Sequence, residues 1–299
     1  MPSLWKFGGL SPADLTKKTI NKVGEDELST RSAALSYYFI LALFPMFLFL
    51  LSLIGIFLGS SSELRESILS ALGRMAPGSA SDLVHSVLNQ TAKSSNGIKV
   101  AAGILGALWA ASAGMSAVTV SLNVIHKVTE TRPWWKQKLT AIGLTVSLAA
   151  LIIVALTLVL YGGKIGQVIA SQFGLNDAFN AIWKAVQWVL PFAAMFLSFS
   201  VVYYFAPNVR SEWHWVTPGA ALGVTIWLAA SLGFRAYLHF FNSYSATYGS
   251  LGAVVILLLW LYITGFAILI GAELNWIIKA ADKGELQQSE TTQVQRRAA

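Results

Sequence analysis

Six long stretches without a charged residue constrain this chain more than any other feature. They cover residues 32–62, 100–125, 139–163, 185–209, 215–234 and 236–272. At a rise of about 1.5 Å per residue, each can cross a bilayer as a single helix. The 299 residues are 55% hydrophobic and only 12% charged, where globular chains carry nearer a quarter charged residues. An ordinary soluble enzyme is therefore not expected.

We predict an all-α, polytopic membrane protein whose six transmembrane helices form one domain over residues 32–280. The predicted spans are about 33–58, 100–125, 139–161, 184–206, 216–240 and 251–278. Residues 1–31 are predicted to be a cytoplasmic N-terminal segment, and the polar residues 281–299 a disordered cytoplasmic tail. We predict that residues 59–97 form an external insert of two amphipathic helices, broken at Pro77 and Gly78, that covers the bundle or lies on the headgroups.

The N-terminal segment contains the signals of a helix start. Ser11 suits an N-cap, Pro12 the first helical position, and Asp14 follows the cap by three residues. The apolar side predicted for this amphipathic helix consists of Leu15, Thr19, Ile20 and Val23. Such a helix either lies on an anionic membrane face or docks on the protein.

The distribution of basic residues predicts the orientation. With the N-terminus inside, fourteen Lys and Arg residues fall on the inner side and five on the outer side. Because basic residues are retained in the cytoplasm, both termini are predicted to be cytoplasmic. The net charge of +7 is thereby explained by loops that face anionic lipid, and no nucleic-acid partner is expected. Interfacial tryptophans agree: Trp134, Trp135, Trp213, Trp215 and Trp276 fall at the inner boundary and Trp183 at the outer one.

Small residues indicate how the spans pack. In the second span Ala102, Gly106, Ala110 and Gly114 recur every four residues, which predicts a central helix approached closely by its neighbours. A shorter pattern, Gly219 and Gly223, occurs in the fifth span. Two prolines, Pro45 in the first span and Pro191 in the fourth, predict local kinks, and either is a structural feature or marks a gate.

Several motifs resemble those of the YihY/BrkB family of bacterial inner-membrane proteins. They run from Arg31 to Tyr38, from Trp109 to Gly114, from Arg132 to Trp135, from Tyr203 to Asn208, from Asn242 to Gly252 and from Gly271 to Asn275. The resemblance covers about residues 15 to 280. It implies a six-helix integral protein with cytoplasmic termini. Names within the family include a ribonuclease label, a virulence-factor label and suggestions of envelope-lipid transport.

The residues do not favour the ribonuclease label. Metal-free RNA cleavage usually uses paired histidines or a histidine with a cationic partner, and metal-dependent cleavage uses clustered His and Asp. The four histidines, His85, His126, His214 and His239, lie on four separate segments, two predicted outside and two inside. Cysteine is absent, and we find no nucleotide-binding, metal or nucleophile motif. We predict a protein that is not an enzyme and has no cofactor or metal.

Ionisable groups within membrane spans are costly and are therefore functional hypotheses. Glu273 is predicted near the inner boundary of the sixth span, where Arg31 and Arg210 match its depth. It either forms an inner-face ion pair or, with Asn275 nearby, takes up protons or cations at an inner gate. Arg235, predicted near the outer boundary, either reaches the headgroups or contacts an anion or lipid phosphate.

The polar link at residues 242–250 is a further candidate for a transport site. If it dips into the membrane, its hydroxyl groups line a substrate path. If it turns at the outer surface, it is a loop hydrogen-bonded to itself. The site residues predicted here are Asn242, Tyr244 and Tyr248. Further polar or kinking candidates within the first two spans are Tyr37, Tyr38, Pro45, Trp109, Ser112 and Asn123.

These observations favour a function in moving an amphiphilic or anionic solute, or an envelope lipid, across or within the bacterial inner membrane. The alternative is a scaffold that organises envelope machinery without transport. The partners expected are membrane lipids, a lipid or anionic substrate, and a second copy of the chain or an envelope protein.

Overall fold

The computed structural model describes residues 4–58, 97–174, 177–209, 212–240 and 244–284, and all regular structure in these ranges is helical. A short 3₁₀ segment, Leu4–Gly9, precedes seven α-helices. They are α1 (Pro12–Glu25), α2 (Leu28–Leu58), α3 (Gly97–Ile125), α4 (Trp134–Phe173), α5 (Asp177–Phe205), α6 (Pro218–Phe240) and α7 (Tyr244–Asp282).

The predicted all-α fold with six membrane-spanning helices is confirmed. Helices α2 to α7 each contain a stretch long and apolar enough to cross a membrane. The predicted external insert falls, apart from Gly97, outside the described residues, as does the tail from residue 285.

Helix α1 is the predicted amphipathic N-terminal helix, and it docks on α7. Ser11 caps it, since the Asp14 backbone N–H donates to the Ser11 hydroxyl at 3.1 Å. Leu15 and Thr19 are buried, and Leu15 packs in a cluster that includes Leu274. Ile20 was predicted on the same side but is 65% exposed, because it lies about 140° around the helix from Leu15.

Helices α2 and α7 occupy the centre of the bundle. Helix α2 packs mainly against α3 and α7, α6 packs along α7, and α4 forms a hairpin with α5. Helix α7 also carries the 3₁₀ segment and α1. The main core lies near one end, where Leu28 and Leu35 of α2 meet Leu122 of α3 and Leu269 of α7. We call this end, which carries α1, the inner end.

The prediction that the second span is central holds only for its inner half. In α3, Gly114 is buried against Phe39 and Ala42 of α2. Gly103 and Gly106 are exposed, and an added Cβ at either would meet no atom within 4 Å. The small residues of the outer half of α3 therefore leave an open surface rather than a close helix contact.

Glycines bring α6 and α7 into backbone contact at the inner end. A Cβ on Gly219 would lie 1.9 Å from the Gly271 carbonyl oxygen, and one on Gly271 would lie 2.3 Å from that of Gly219. The Tyr203 hydroxyl of α5 reaches the same crossing and donates to the Ile268 carbonyl at 2.8 Å. Close packing in the membrane relies on such small residues and interhelical hydrogen bonds.

The backbone at the outer start of α7 differs from the predicted irregular link. Helix α7 begins at Tyr244, so residues 244–250 are its first turns. Tyr248 therefore belongs to the helix, and a continuous helix satisfies its own backbone hydrogen bonds at any membrane depth. The side chains of this segment, and Asn242, are outside the described residues.

Candidate functional site

The polar residues of the bundle concentrate at the inner end, around Glu273 of α7. Glu273 is fully buried, and neither of its carboxylate oxygens accepts a hydrogen bond from the described residues. Its electrostatic neighbours are the carboxyl group of Asp26, at the turn between α1 and α2, and the ammonium groups of Lys22 and Lys127. Oδ2 of Asp26 is likewise buried without a hydrogen-bond partner in the part of the chain that the structure describes. We call Asp26 and Glu273 the carboxyl pair.

The cations around the carboxyl pair are engaged elsewhere. Lys22 forms an ion pair with Glu25, and Lys127 lies over the Trp276 ring at 4.4 Å from its centroid. Burial and the nearby Lys22 ammonium lower the pKa of Lys127. Arg31, the predicted partner of Glu273, instead donates from Nε to the Asp26 backbone carbonyl at 2.9 Å.

The predicted ion pairing of Glu273 changes as a result. The ion pair between Arg31 and Glu273 is not formed, because the turn after α1 places the Asp26 carbonyl in front of the guanidinium group. Arg210, the other predicted partner, lies outside the described residues. Trp276, which is predicted at the inner boundary, is partly buried and has Lys22 and Lys127 over its ring.

Asn275 caps helix α6. Its side-chain carbonyl accepts from the Gly219 backbone N–H at 2.9 Å, and its amide donates to the Thr217 hydroxyl at 2.9 Å. Thr217 in turn accepts from the Ala220 backbone N–H at 3.0 Å. Two of the N–H groups that a helix start leaves without a partner are thereby satisfied in a buried setting. The contacts of Asn275 are those of a helix cap.

A small cavity of about 20 Å³ lies beside this cap. Its lining includes His126, His214, Glu212, Tyr203, Asn275 and Lys279. The fold thus brings together the two histidines predicted inside, although they lie on separate segments. The volume is enough for about one water molecule, so the space admits solvent but not a nucleotide.

His126 is neutral in this setting. Burial, together with the positive charge of Lys279, lowers its pKa to about 4. Nδ1 lies 2.9 Å from the Leu122 carbonyl oxygen, so the neutral ring carries its proton on Nδ1 and donates there.

A second polar network joins the α3–α4 connection to the end of α5. Asn123 donates to Glu130 at 2.8 Å and accepts from the Asn208 backbone N–H at 2.7 Å. Arg132 binds Glu130 through Nε and Nη2 and also donates to the Ala206 carbonyl at 2.9 Å. Arg132 and Asn123 lower the pKa of Glu130 to about 2. Asn123, a predicted site residue, therefore links two helix ends.

The aromatic candidates face outward. Tyr37, Tyr38 and Trp109 are all more than 40% exposed, so they lie on the outside of the bundle rather than on an internal path. Lys138 of α4 donates to the Trp109 carbonyl at 3.0 Å and lies 4.4 Å from the centroid of its ring. A cation thus sits beside an exposed indole at the edge of the open α3 surface.

The remaining candidates are dispersed. Pro45 is half-buried within the continuous helix α2, and Arg235 is exposed near the end of α6. Ser112 is buried and donates to the Trp109 carbonyl of its own helix at 2.7 Å.

Sequence reasoning missed four residues at the inner end: Asp26, Lys127, Glu130 and Asn208. Asp26, Lys127 and Glu130 lie in connections outside the charge-free stretches, where no depth argument draws attention to them, and Asn208 lies at the end of one such stretch, after α5 has ended. The available signal was proximity to predicted helix ends, since Asp26 precedes α2 and Lys127 follows α3.

Comparisons with known proteins support a single family. The sequence model of the family described as Virulence factor BrkB matches residues 19–296. The chain is 36% identical to the putative ribonuclease-like protein YfkH of Bacillus subtilis, over 89% of this chain and 96% of that one. It is 26% identical to a UPF0761 membrane protein of Pseudoalteromonas translucida, over 86% of this chain and 83% of that one.

Some relatives are longer. The chain is 26% identical to the UPF0761 membrane protein RSc1559 of Ralstonia nicotianae, over 92% of this chain but only 60% of that protein. No solved structure matches the chain.

Proposed function

The chain belongs to the Virulence factor BrkB family of membrane proteins, and from this premise we propose that it moves an amphiphilic or anionic solute, with an envelope lipid as the leading case, across or within the bacterial inner membrane. In this proposal the protein is an integral protein with both termini in the cytoplasm and is not an enzyme. Transport is passive, coupled to ions or powered by a partner.

The observation that carries the proposal is the open surface on the outer half of α3. Gly103 and Gly106 leave space beside the helix, and Trp109 with the Lys138 ammonium group follows at the inner end of this surface. An open apolar surface that ends in a cation suits a lipid with an acyl chain and a phosphate headgroup.

Two features of the inner end support a function other than RNA cleavage. The cavity that contains His126 and His214 has about 20 Å³ of space, which is too small for a nucleotide. His126 has a pKa of about 4, because of its burial and the Lys279 charge, and is therefore not a proton donor at neutral pH. The described residues also contain no cluster of three or more His, Cys, Asp or Glu suited to a metal ion.

The test is mass spectrometry of the lipids that remain with the protein after extraction in a detergent-free polymer, against an unrelated six-span protein. We expect one lipid class to be enriched to about one molecule per protein. The variant Gly106→Leu should lose this enrichment, because its side chain fills the open surface. Gly163→Leu in α4 is the matched control, since Gly163 also has no neighbour within 4 Å of an added Cβ.

Bulk lipid composition in the wild-type protein, together with a stoichiometric partner protein, would contradict the proposal and favour the scaffold. Equal enrichment of the lipid in Gly106→Leu and in the wild type would show that the open α3 surface does not bind it. The same extraction would also show whether the protein is isolated with a second copy of itself.

A further inference from the structure

The carboxyl pair at the inner end has no explanation in the proposed function. Glu273 is the only charged side chain among the fully buried residues of the described bundle, and its two oxygens accept no hydrogen bond there. A buried carboxylate without a donor is strongly unfavourable, and a second carboxylate beside it adds repulsion. A donor that bonds these carboxyl oxygens therefore stabilises the pair.

The surrounding charged groups do not provide this bond. Three cations lie near the pair: Lys22 on α1, Lys127 after α3 and Arg31 on α2. Lys22 forms an ion pair with Glu25, and Lys127 lies over the Trp276 ring. Arg31 donates to the Asp26 backbone carbonyl. Their positive charge still makes a metal cation unfavourable at this place. A proton adds no volume and turns one of the two carboxyl groups into a donor for the other.

We propose that Asp26 and Glu273 form a proton-binding site in which the two carboxyl groups share one proton between the α1–α2 turn and α7. The protonated carboxyl donates to the ionised one, which links the N-terminal segment to the central helix of the bundle. The site holds one proton at neutral pH and releases it to the cytoplasmic side at alkaline pH. This inference does not depend on the proposed transport function.

Infrared spectroscopy of the purified full-length protein tests the site directly. At about pH 7 the wild type should show the carbonyl stretch of a protonated carboxylic acid, since isolated Asp and Glu side chains are ionised at this pH. The band should be lost on titration to alkaline pH, and it should be missing from both Glu273→Gln and Asp26→Asn. The matched control is Glu27→Gln, which changes an exposed carboxyl one residue away and should keep the band.

Three outcomes would overturn the proposal. Absence of the band from the wild type at pH 7 means that both groups are ionised and solvated. Persistence in Asp26→Asn assigns the proton to Glu273 alone, and persistence in both variants assigns it to another residue. The wild-type spectrum alone decides whether a protonated carboxyl group is present at pH 7, so the proposal can be refuted even where a variant fails to fold.

Thermal unfolding gives an independent readout. A proton bound by the folded state and not by the unfolded chain makes stability fall as pH rises through its release. The wild-type melting temperature should therefore fall as the pH is raised above about 5, where carboxyl groups of the unfolded chain are ionised, and should level off once the folded protein has released the proton. Glu273→Gln, whose amide replaces the proton as donor, should lose most of this fall. Parallel curves for the two proteins would contradict the site, and neither measurement involves a lipid or transported solute.

Discussion

Asn275 illustrates how a buried polar side chain of a predicted span can serve the fold. It bonds the Gly219 N–H and the Thr217 hydroxyl at the start of α6, so both ends of its amide are used within the protein. The adjacent Glu273 differs because its oxygens are unpaired.

We expect Asn275→Ala to destabilise the protein by about 1–3 kcal/mol, the usual cost of leaving a buried N–H without its acceptor. Chemical unfolding in detergent measures this change. In a double-mutant cycle with Thr217→Ala, the two effects should sum to more than the effect of the double variant, because the residues share one hydrogen bond. Additive effects would contradict the cap.

His126 predicts a loss of stability on acidification. Burial and Lys279 lower its pKa to about 4 in the folded protein, whereas a histidine in an unfolded chain titrates near 6.5. The unfolded state therefore binds more protons between these values, and stability must fall as pH is lowered from about 6.5 to about 4. His126→Gln should show a smaller fall in the free energy of unfolding over this range.

An unchanged denaturant slope m in the wild type and His126→Gln is the control, because it shows that unfolding exposes the same surface in both proteins. An equally steep acid loss in the variant would mean that other groups, such as the carboxylates, account for it.

Among the helices, the contact between α6 and α7 is the least tolerant of added volume. Gly271→Ala would place a methyl group 2.3 Å from both the Gly219 carbonyl oxygen and the Tyr203 hydroxyl. We expect a loss of at least about 1–3 kcal/mol, as for other overpacked cores, measured as a lower melting temperature. Gly163→Ala, with no atom near its added Cβ, should be neutral or slightly stabilising, and equal effects at both positions would contradict the crossing.

The sequence predicts individual helices better than the contacts between them. Charge-free length located α2 to α7, and the Ser11 cap located α1, because these signals are local. The small residues of α3 were interpreted as a helix contact, yet Gly106 is open and Gly114 is packed. Nothing in the spacing distinguishes the two, since the same four-residue repeat of small residues runs through both positions.

The same limit applies to the inner-end site. Depth matching brought Glu273 to the level of Arg31, but the residue beside it is Asp26, which depends on how the chain turns between α1 and α2. Asn208 and Arg132 are far apart in sequence, and only the fold reveals that Asn123 and Glu130 connect them. Asn123 accepts from the Asn208 N–H and donates to Glu130, which also accepts from Arg132.

For the whole molecule, packing and aromatic side chains indicate where the membrane ends. Lys138, in the second turn of α4, bonds the Trp109 carbonyl in the middle of α3, so α4 starts level with the centre of α3. Trp134 and Trp135 at this level are 68% and 52% exposed, as expected of rings at a lipid–water boundary. Beyond Trp109, α3 continues to Ile125 for about 24 Å at 1.5 Å per residue.

We therefore expect the inner end of the bundle, with its tight core and polar networks, to project from the membrane into the cytoplasm. The residues of α3 beyond Trp109, which the charge-free stretch 100–125 assigns to the second span, would then lie outside the bilayer. Val120 and Leu105, both on α3, are 61% and 65% exposed, but only Val120 lies on the inner side of Trp109. The chain contains no cysteine, so single cysteine variants report on one position each.

In inverted membrane vesicles, a membrane-impermeant maleimide should label Val120→Cys strongly and Leu105→Cys only after detergent is added. In vesicles of the opposite orientation neither should react, because Val120 then faces the lumen and Leu105 faces lipid. Labelling of Leu105→Cys in intact vesicles would show that water reaches the outer half of α3, and protection of Val120→Cys in inverted vesicles would return the inner end to the membrane. Labelling of Val120→Cys from the external side would reverse the orientation inferred from the basic residues.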